Sequence, residues 1–158
     1  MAYLYSYVGE PWKTQEWTRR LLDEMYQPTP EGIIGNEDCG QMSAWYLLSS
    51  LGFYSVCPGS NQFILTTPLF DKATVKLGNG KILTITANQP EKNKYITSVS
   101  LNGEEIKHCY ITYDQLMQGG TLDFTLSATP DKSWGTAPEY APYSYTCLLY
   151  TSDAADEL

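Results

Sequence analysis

Apolar positions change their period once along this 158-residue chain. Before Phe53 they recur at helical spacing, and after it they alternate. Tyr3, Leu4, Tyr7 and Val8 predict a short first helix that Gly9 stops. Pro11 suits the opening turn of a second helix. Its apolar face runs through Trp17, Leu21, Leu22 and Met25 over residues 12–26. Arg19 and Arg20 fall outside that stripe and read as solvated charges. Pro28-Thr29-Pro30 ends the helix. A loop over residues 31–40 leads to a third helix over 39–51, with Ala44, Trp45, Leu47, Leu48 and Leu51 as its stripe and Gly52 as its stop. Two helices joined by a loop of this length pack as an antiparallel pair.

The second half reads as strands. Phe63 to Thr67 is a short apolar run. Ala73, Val75 and Leu77 alternate with polar residues, Gly78-Asn79-Gly80 turns the chain, and Lys81 to Thr86 returns as a hairpin. Tyr95 to Leu101 is a further strand, followed by the hairpin signal Asn102-Gly103 and a modest return at Glu104-Glu105-Ile106. Cys109 to Thr112 adds a short strand, Tyr113 to Met117 one helical turn, and Leu122, Phe124 and Leu126 a final strand. About six strands at this spacing predict an antiparallel sheet or small sandwich, and with the helices an α+β chain. After Trp134 the pattern fails, and Ala137 to Tyr143 reads as linker.

Composition narrows the function. Ten basic against eighteen acidic residues give a net charge of -8, which argues against nucleic acid or an anionic membrane as partner. The apolar fraction of 42% is that of a folded domain. Thirteen Tyr and four Trp are many for a weakly charged chain, and aromatic faces pack on the apolar faces of sugars as well as in cores. Cys39, Cys57, Cys109 and Cys147 show no zinc-ligand spacing. No apolar run is long enough to span a bilayer. Met1 to Tyr5 lacks the basic leader and apolar core of a signal peptide.

The candidate chemistry sits in Gly35-Asn36-Glu37-Asp38-Cys39-Gly40, where two adjacent carboxylates lie between glycines ahead of an apolar helix. A glycosidase needs two carboxyl groups; in an inverting enzyme they stand roughly 6.5–9.5 Å apart on opposite sides of the scissile bond. Sequence neighbours do not form that opposed pair. Glu37 and Asp38 instead suit one half of it, one taking a proton from water and the other positioning or tuning it. Spacing alone favours a structural role: Asp38 as helix N-cap with Gln41 at the third helical position, as in a capping box.

The run from Gly35 to Tyr54 resembles a signature of glycoside hydrolase family 92, the calcium-dependent exo-acting α-mannosidases. Tyr3-Leu4-Tyr5 through Gly9-Glu10-Pro11-Trp12-Lys13-Thr14-Gln15 is similar to a second family segment, and Pro68 to Ala73 and Gly119 to Leu122 resemble its strand-rich C-terminal part. The resemblance reaches to about Trp134. It implies the terminal helices of an (α/α)6 barrel in residues 1–54 and a β-rich C-terminal region in 55–134. Residues 135–158 are left as linker and tail; Cys147 to Glu157 is similar to a translated sequencing adapter and is expected to be non-native.

In that family the acidic loop supplies the general base. The resemblance makes Asp38 the first choice and Glu37 its partner, without deciding which takes the proton. Trp12 is a candidate for lining the sugar site, although a Trp at a helix start more often packs. The family's catalytic acid, and the Asn-Glu-Pro segment associated with calcium, fall in the missing N-terminal part of the same polypeptide. The resemblance thus implies α-mannoside glycans as substrates, Ca2+ as cofactor of the complete enzyme, and a periplasmic or extracellular location. No metal ligand is assigned within this chain, and the chain alone is expected to be inactive. Two other readings compete: a non-catalytic carbohydrate-binding or structural β module, suggested by the aromatics, and a calcium-binding protein, which the spacing does not favour.

Overall fold

The structure is a computed structural model, and it describes residues 2–144. A 3-10 helix over Ala2–Val8 leads through Gly9, at φ +75°, into helix α1 (Pro11–Met25). Pro11 occupies the first turn, where its missing N–H costs nothing. Helix α2 (Gln41–Ser50) follows, and Gly52 at φ +97° turns the chain into the strands. These are β1 (Phe53–Tyr54), β2 (Gln62–Leu65), β3 (Lys72–Lys76), β4 (Ile82–Ala87), β5 (Tyr95–Leu101), β6 (Glu104–Glu105) and β7 (Tyr110–Thr112). A one-turn helix α3 (Tyr113–Leu116), β8 (Gly120–Ser127) and a second 3-10 helix (Pro138–Tyr140) complete the order.

Two sheets result, one ordered β1-β2-β7 and the other β3-β4-β8-β5-β6. Leu83 and Ile85 of β4, Ile96 and Val99 of β5, and Leu122, Phe124 and Leu126 of β8 join Phe53, Leu65 and Ile111 of the smaller sheet in one buried cluster. Alternation along β8 is strict, with inward Leu122, Phe124 and Leu126 between exposed neighbours. In β5 the register against β8 shifts between Ile96 and Ser98, which lets Ile96 and Val99, three apart, both face inward.

The α+β class and the helix-then-strand order hold. Four details differ from the sequence reading. First, β8 inserts between β4 and β5 and runs parallel to β4, so one ladder is not antiparallel. Asn side chains fix that insertion: Asn102 accepts from Thr121 N at 2.8 Å and Asn88 donates to Leu126 O at 3.1 Å. Second, Arg19 is not solvated. It is 5% exposed, and its Nη2 donates to Pro68 O at 2.8 Å. Third, of the α1 stripe only Leu22 is buried; Leu21 and Met25 are half-buried and Trp17 is exposed. Fourth, residues 135–144 do more than link: Gly135 and Pro142 are buried, and Cys109 N donates to Tyr140 O at 3.1 Å. The adapter-like tail from Cys147 lies outside the described residues.

The helices are tied to the sheet by polar contacts. Gln15, 1% exposed, accepts from Ile96 N through Oε1 at 2.9 Å. Gln15→Leu strips a buried amide of its acceptor and is expected to lower stability by about 1–3 kcal/mol, as read by denaturant unfolding. Cys109 is enclosed and donates to Ser6 O at 3.5 Å, and burial pushes its thiol up to about 12. Cys39 and Cys57 are exposed. Alkylation of the native protein at pH 8, read by mass spectrometry, is expected to label Cys39 and Cys57 and spare Cys109.

Candidate active site

The loop between α1 and α2 is shaped by its backbone. Tyr26 and Ile33 form an isolated antiparallel bridge, closed by Gln27 N donating to Gly32 O at 2.8 Å. Gly32 is required there, because a Cβ would lie 1.8 Å from Gln27 O. The chain then makes a left-handed turn through Asp38, Cys39 and Gly40, at φ +53°, +60° and +92°. Two successive non-glycine residues in that region carry strain, and such strain concentrates at functional sites.

The turn separates the two carboxylates. Helix α2 has Gly40 at its N-cap, with no side-chain hydrogen bond from that residue. The expected Asp38 cap is therefore replaced: Glu37 Oε1 accepts from Ser43 N at 3.0 Å, satisfying an amide of the first turn from six residues away. The left-handed turn makes this possible, since it folds Glu37 back over the helix start while its carbonyl accepts from Met42 N at 3.2 Å. The second oxygen, Oε2, is buried without a partner among the described residues. Asp38 is exposed, and its side chain makes no hydrogen bond among the described residues. One carboxylate is thus fixed at the positive end of a helix, and its neighbour is left free to act.

Aromatic rings flank the loop. Tyr26 stacks on Trp45 at 5.6 Å between centroids and contacts Tyr46 at 4.8 Å. Trp45 meets Tyr54 edge-on at 6.5 Å, and Tyr54 meets Tyr3 at 5.4 Å. Burial raises the Tyr26 phenol above its ordinary pKa, and the nearby Glu37 carboxylate and Tyr54 add to that. Two open cavities lie along this wall. One of about 430 Å³ is bounded by Tyr26, Ser43, Tyr46, Gly32 and Ile33. The other, of about 230 Å³, reaches Tyr3, Met42 and Trp45. Ser43 and Tyr46 lie within the Gly35 to Tyr54 run that carries the resemblance; Tyr26 lies outside it, and only its distance from the acidic pair along a helix–loop–helix could have pointed to it.

Trp12 is elsewhere. It opens α1, whereas Tyr26 follows its end, and the 15-residue helix between them is about 20 Å long. Its ring lies between Lys13 and Lys132, whose Nζ atoms are 5.1 and 4.9 Å from the centroid. His108 is exposed against Tyr110 and Tyr140. Among the described residues no three His, Cys, Asp or Glu side chains gather as metal ligands, and no helix is long and apolar enough to cross a membrane. Two neighbouring carboxylates, one already engaged, do not make the six or more oxygen ligands that calcium takes.

Comparison with known proteins gives this arrangement its context. Residues 1–128 match the model of the glycosyl hydrolase family 92 catalytic domain. A family 92 α-mannosidase of Bacteroides thetaiotaomicron, solved with mannoimidazole, superposes with a TM-score of 0.86 at 41% identity over 91% of this chain and 19% of that one. A family 92 inverting mannosidase of the same bacterium gives 0.84 and 42% over 92% of this chain and 20% of its own. An uncharacterized secreted glycosidase of Arthroderma benhamiae is 29% identical over 147 residues, which are 90% of this chain and 19% of that protein. The chain spans about a fifth of the length of these relatives. It belongs to glycosyl hydrolase family 92, a family of glycosidases, and these two solved neighbours are mannosidases.

Proposed function

We propose that this chain supplies the general-base half of the active site of an exo-acting, inverting α-mannosidase, with Asp38 as the base and Glu37 as the residue that positions it. The observation that carries the reading is the division of labour in the loop: Glu37 is spent on Ser43 N at the helix start, and Asp38 is exposed with no partner among the described residues. Asp38 would take a proton from water as the water oxygen attacks the anomeric carbon. The bond to the leaving oxygen breaks, and a carboxylic acid on the opposite side protonates that oxygen. That acid belongs to the part of the polypeptide that precedes this segment, as does any calcium site. Calcium, where present, would orient sugar hydroxyls; the residues described here do not offer a site for it. Secretion to the periplasm or outside the cell fits an enzyme acting on glycans, and the fungal relative is named as secreted.

Trp12 does not enter this reading, because it lies at the far end of α1 from the loop. The aromatic run from Tyr46 to Tyr3 is the better sugar-facing wall, since it borders the acidic turn directly. The test is proton NMR of an α-mannoside being hydrolysed by the full-length enzyme that carries this segment. β-Mannose is expected as the first product; α-mannose appearing first contradicts the inverting mechanism. The isolated 158-residue chain is expected to show no turnover in the same assay.

A further inference from the structure

The seam between helix α1 and the sheet is polar where a core is ordinarily apolar. Gln15, Thr18 and Arg19 stand three and four residues apart, on one face of α1, and are between 0% and 5% exposed. The segment after β2 runs against that face. Arg19 Nη2 donates to Pro68 O at 2.8 Å, and Thr66, two residues earlier, is fully buried. Both sides of the seam reach the start of β5: Thr67 Oγ1 donates to Lys94 O at 2.7 Å, and Gln15 Oε1 accepts from Ile96 N at 2.9 Å. Thr18 also lies beside the Tyr3 phenol, which is already hydrogen-bonded to Ser49 Oγ at 2.7 Å.

Buried polar atoms have partners as a rule, and one without a partner calls for an occupant. Of the six buried side-chain nitrogen and oxygen atoms left without a partner among the described residues, four are in this seam: Gln15 Nε2, Thr18 Oγ1, Arg19 Nε and Thr66 Oγ1. All four can donate, and the two nitrogens can do nothing else. Arg19 also brings a positive charge that has no ion-pair partner among the described residues. Asp23, one turn on, is exposed; its field is felt by the guanidinium, but burial outweighs it and lowers the Arg19 pKa. A buried charge left unpaired is costly. Water brings no charge and accepts two hydrogen bonds, whereas an anion accepts from all four donors and neutralises the guanidinium. Each of the four atoms is closed to solvent, which suits a monatomic ion better than a phosphate or a carboxylate. We infer that this seam binds a chloride ion, held by Arg19 Nε, Gln15 Nε2 and the hydroxyls of Thr18 and Thr66. The ion ties α1, the start of β5 and the segment after β2 around one charge, and it takes no part in hydrolysis.

Crystals of the full-length enzyme grown with bromide in place of chloride test this by anomalous diffraction, with no substitution needed. A bromide peak within hydrogen-bond distance of Arg19 Nε and Gln15 Nε2 is expected. A water in that place, or a carboxylate from the upstream polypeptide, overturns the inference. Thermal unfolding in sodium chloride against sodium gluconate at equal ionic strength is the test in solution. The midpoint is expected to be higher in chloride, because a ligand held only by the folded state stabilises it. Thr66→Val keeps the shape of the side chain and removes one donor, so the difference between the two salts is expected to shrink several-fold. A difference that Thr66→Val leaves unchanged overturns the site. A bromide peak in the crystal with no chloride dependence in solution is an adventitious ion only, and overturns it too.

Discussion

Asp38→Asn in the full-length enzyme is expected to lower kcat by about 10²–10⁴-fold with little change in KM, the range a general base supplies. Asn keeps the size and polarity of the side chain and removes only its capacity to take a proton. The backbone at φ +53° also tolerates Asn as well as any residue other than glycine, so the turn survives the exchange. Glu37→Gln separates the two roles. Its amide oxygen still accepts from Ser43 N, so the cap persists and only the charge at the helix start is lost, a cost of about 0.3–1 kcal/mol. Turnover is expected to fall far less than for Asp38→Asn. Steady-state kinetics on an α-mannoside reads both variants, and a larger loss for Glu37→Gln would reverse the assignment.

Phe124→Ala is expected to cost about 3–5 kcal/mol, measured by denaturant unfolding of the full-length enzyme. Phe124 is 1% exposed at the centre of β8, between β4 and β5, and it is the largest of the fully enclosed side chains. Its effect extends beyond the sheet. A Cβ on Gly52 would lie 3.2 Å from the Phe124 ring and 2.8 Å from Pro68, so strand, helix exit and the segment after β2 meet at one point. Pro68 O is also what buried Arg19 holds, and Leu69 N donates to Ser50 O at 2.9 Å. Emptying that point loosens the end of α2 whose other end carries the acidic turn. Activity is therefore expected to decline at temperatures below the midpoint of global unfolding.

Local pattern made the elements legible. Pro11, Gly52, Asn102-Gly103 and the alternation through Leu122, Phe124 and Leu126 each act through backbone or face preferences that need no distant partner. What pattern does not carry is pairing. Nothing near β8 announces that it will lie parallel to β4, because that choice is fixed by Asn88 and Asn102, 38 and 19 residues away from the amides they bind. Arg19 misleads for a related reason: its acceptor, Pro68 O, lies 49 residues on, and an arginine off the apolar stripe looks solvated until that carbonyl is in place. The apolar stripe of α1 is periodic, yet only one of its four members is buried. Periodicity finds a face that wants cover without saying what covers it.

The acidic motif was legible as chemistry before it was legible as geometry. Two carboxylates between glycines suggested a base and its partner, and spacing suggested a cap. The cap exists, but Glu37 makes it, because the left-handed turn through Asp38 and Cys39 removes Asp38 from the helix axis. Backbone conformations at positive φ are poorly encoded by residues other than glycine, so this inversion was out of reach of sequence spacing.

The most direct test of Asp38 as the base is azide rescue of Asp38→Ala in the full-length enzyme. Azide is an anion and attacks the anomeric carbon without giving up a proton, so it needs no base. Turnover of an activated α-mannoside is expected to return with azide, and β-mannosyl azide to be the product by NMR. Glu37→Ala under the same conditions is expected to gain little. If azide rescues Glu37→Ala and leaves Asp38→Ala inactive, Asp38 is not the base and the account fails at its centre.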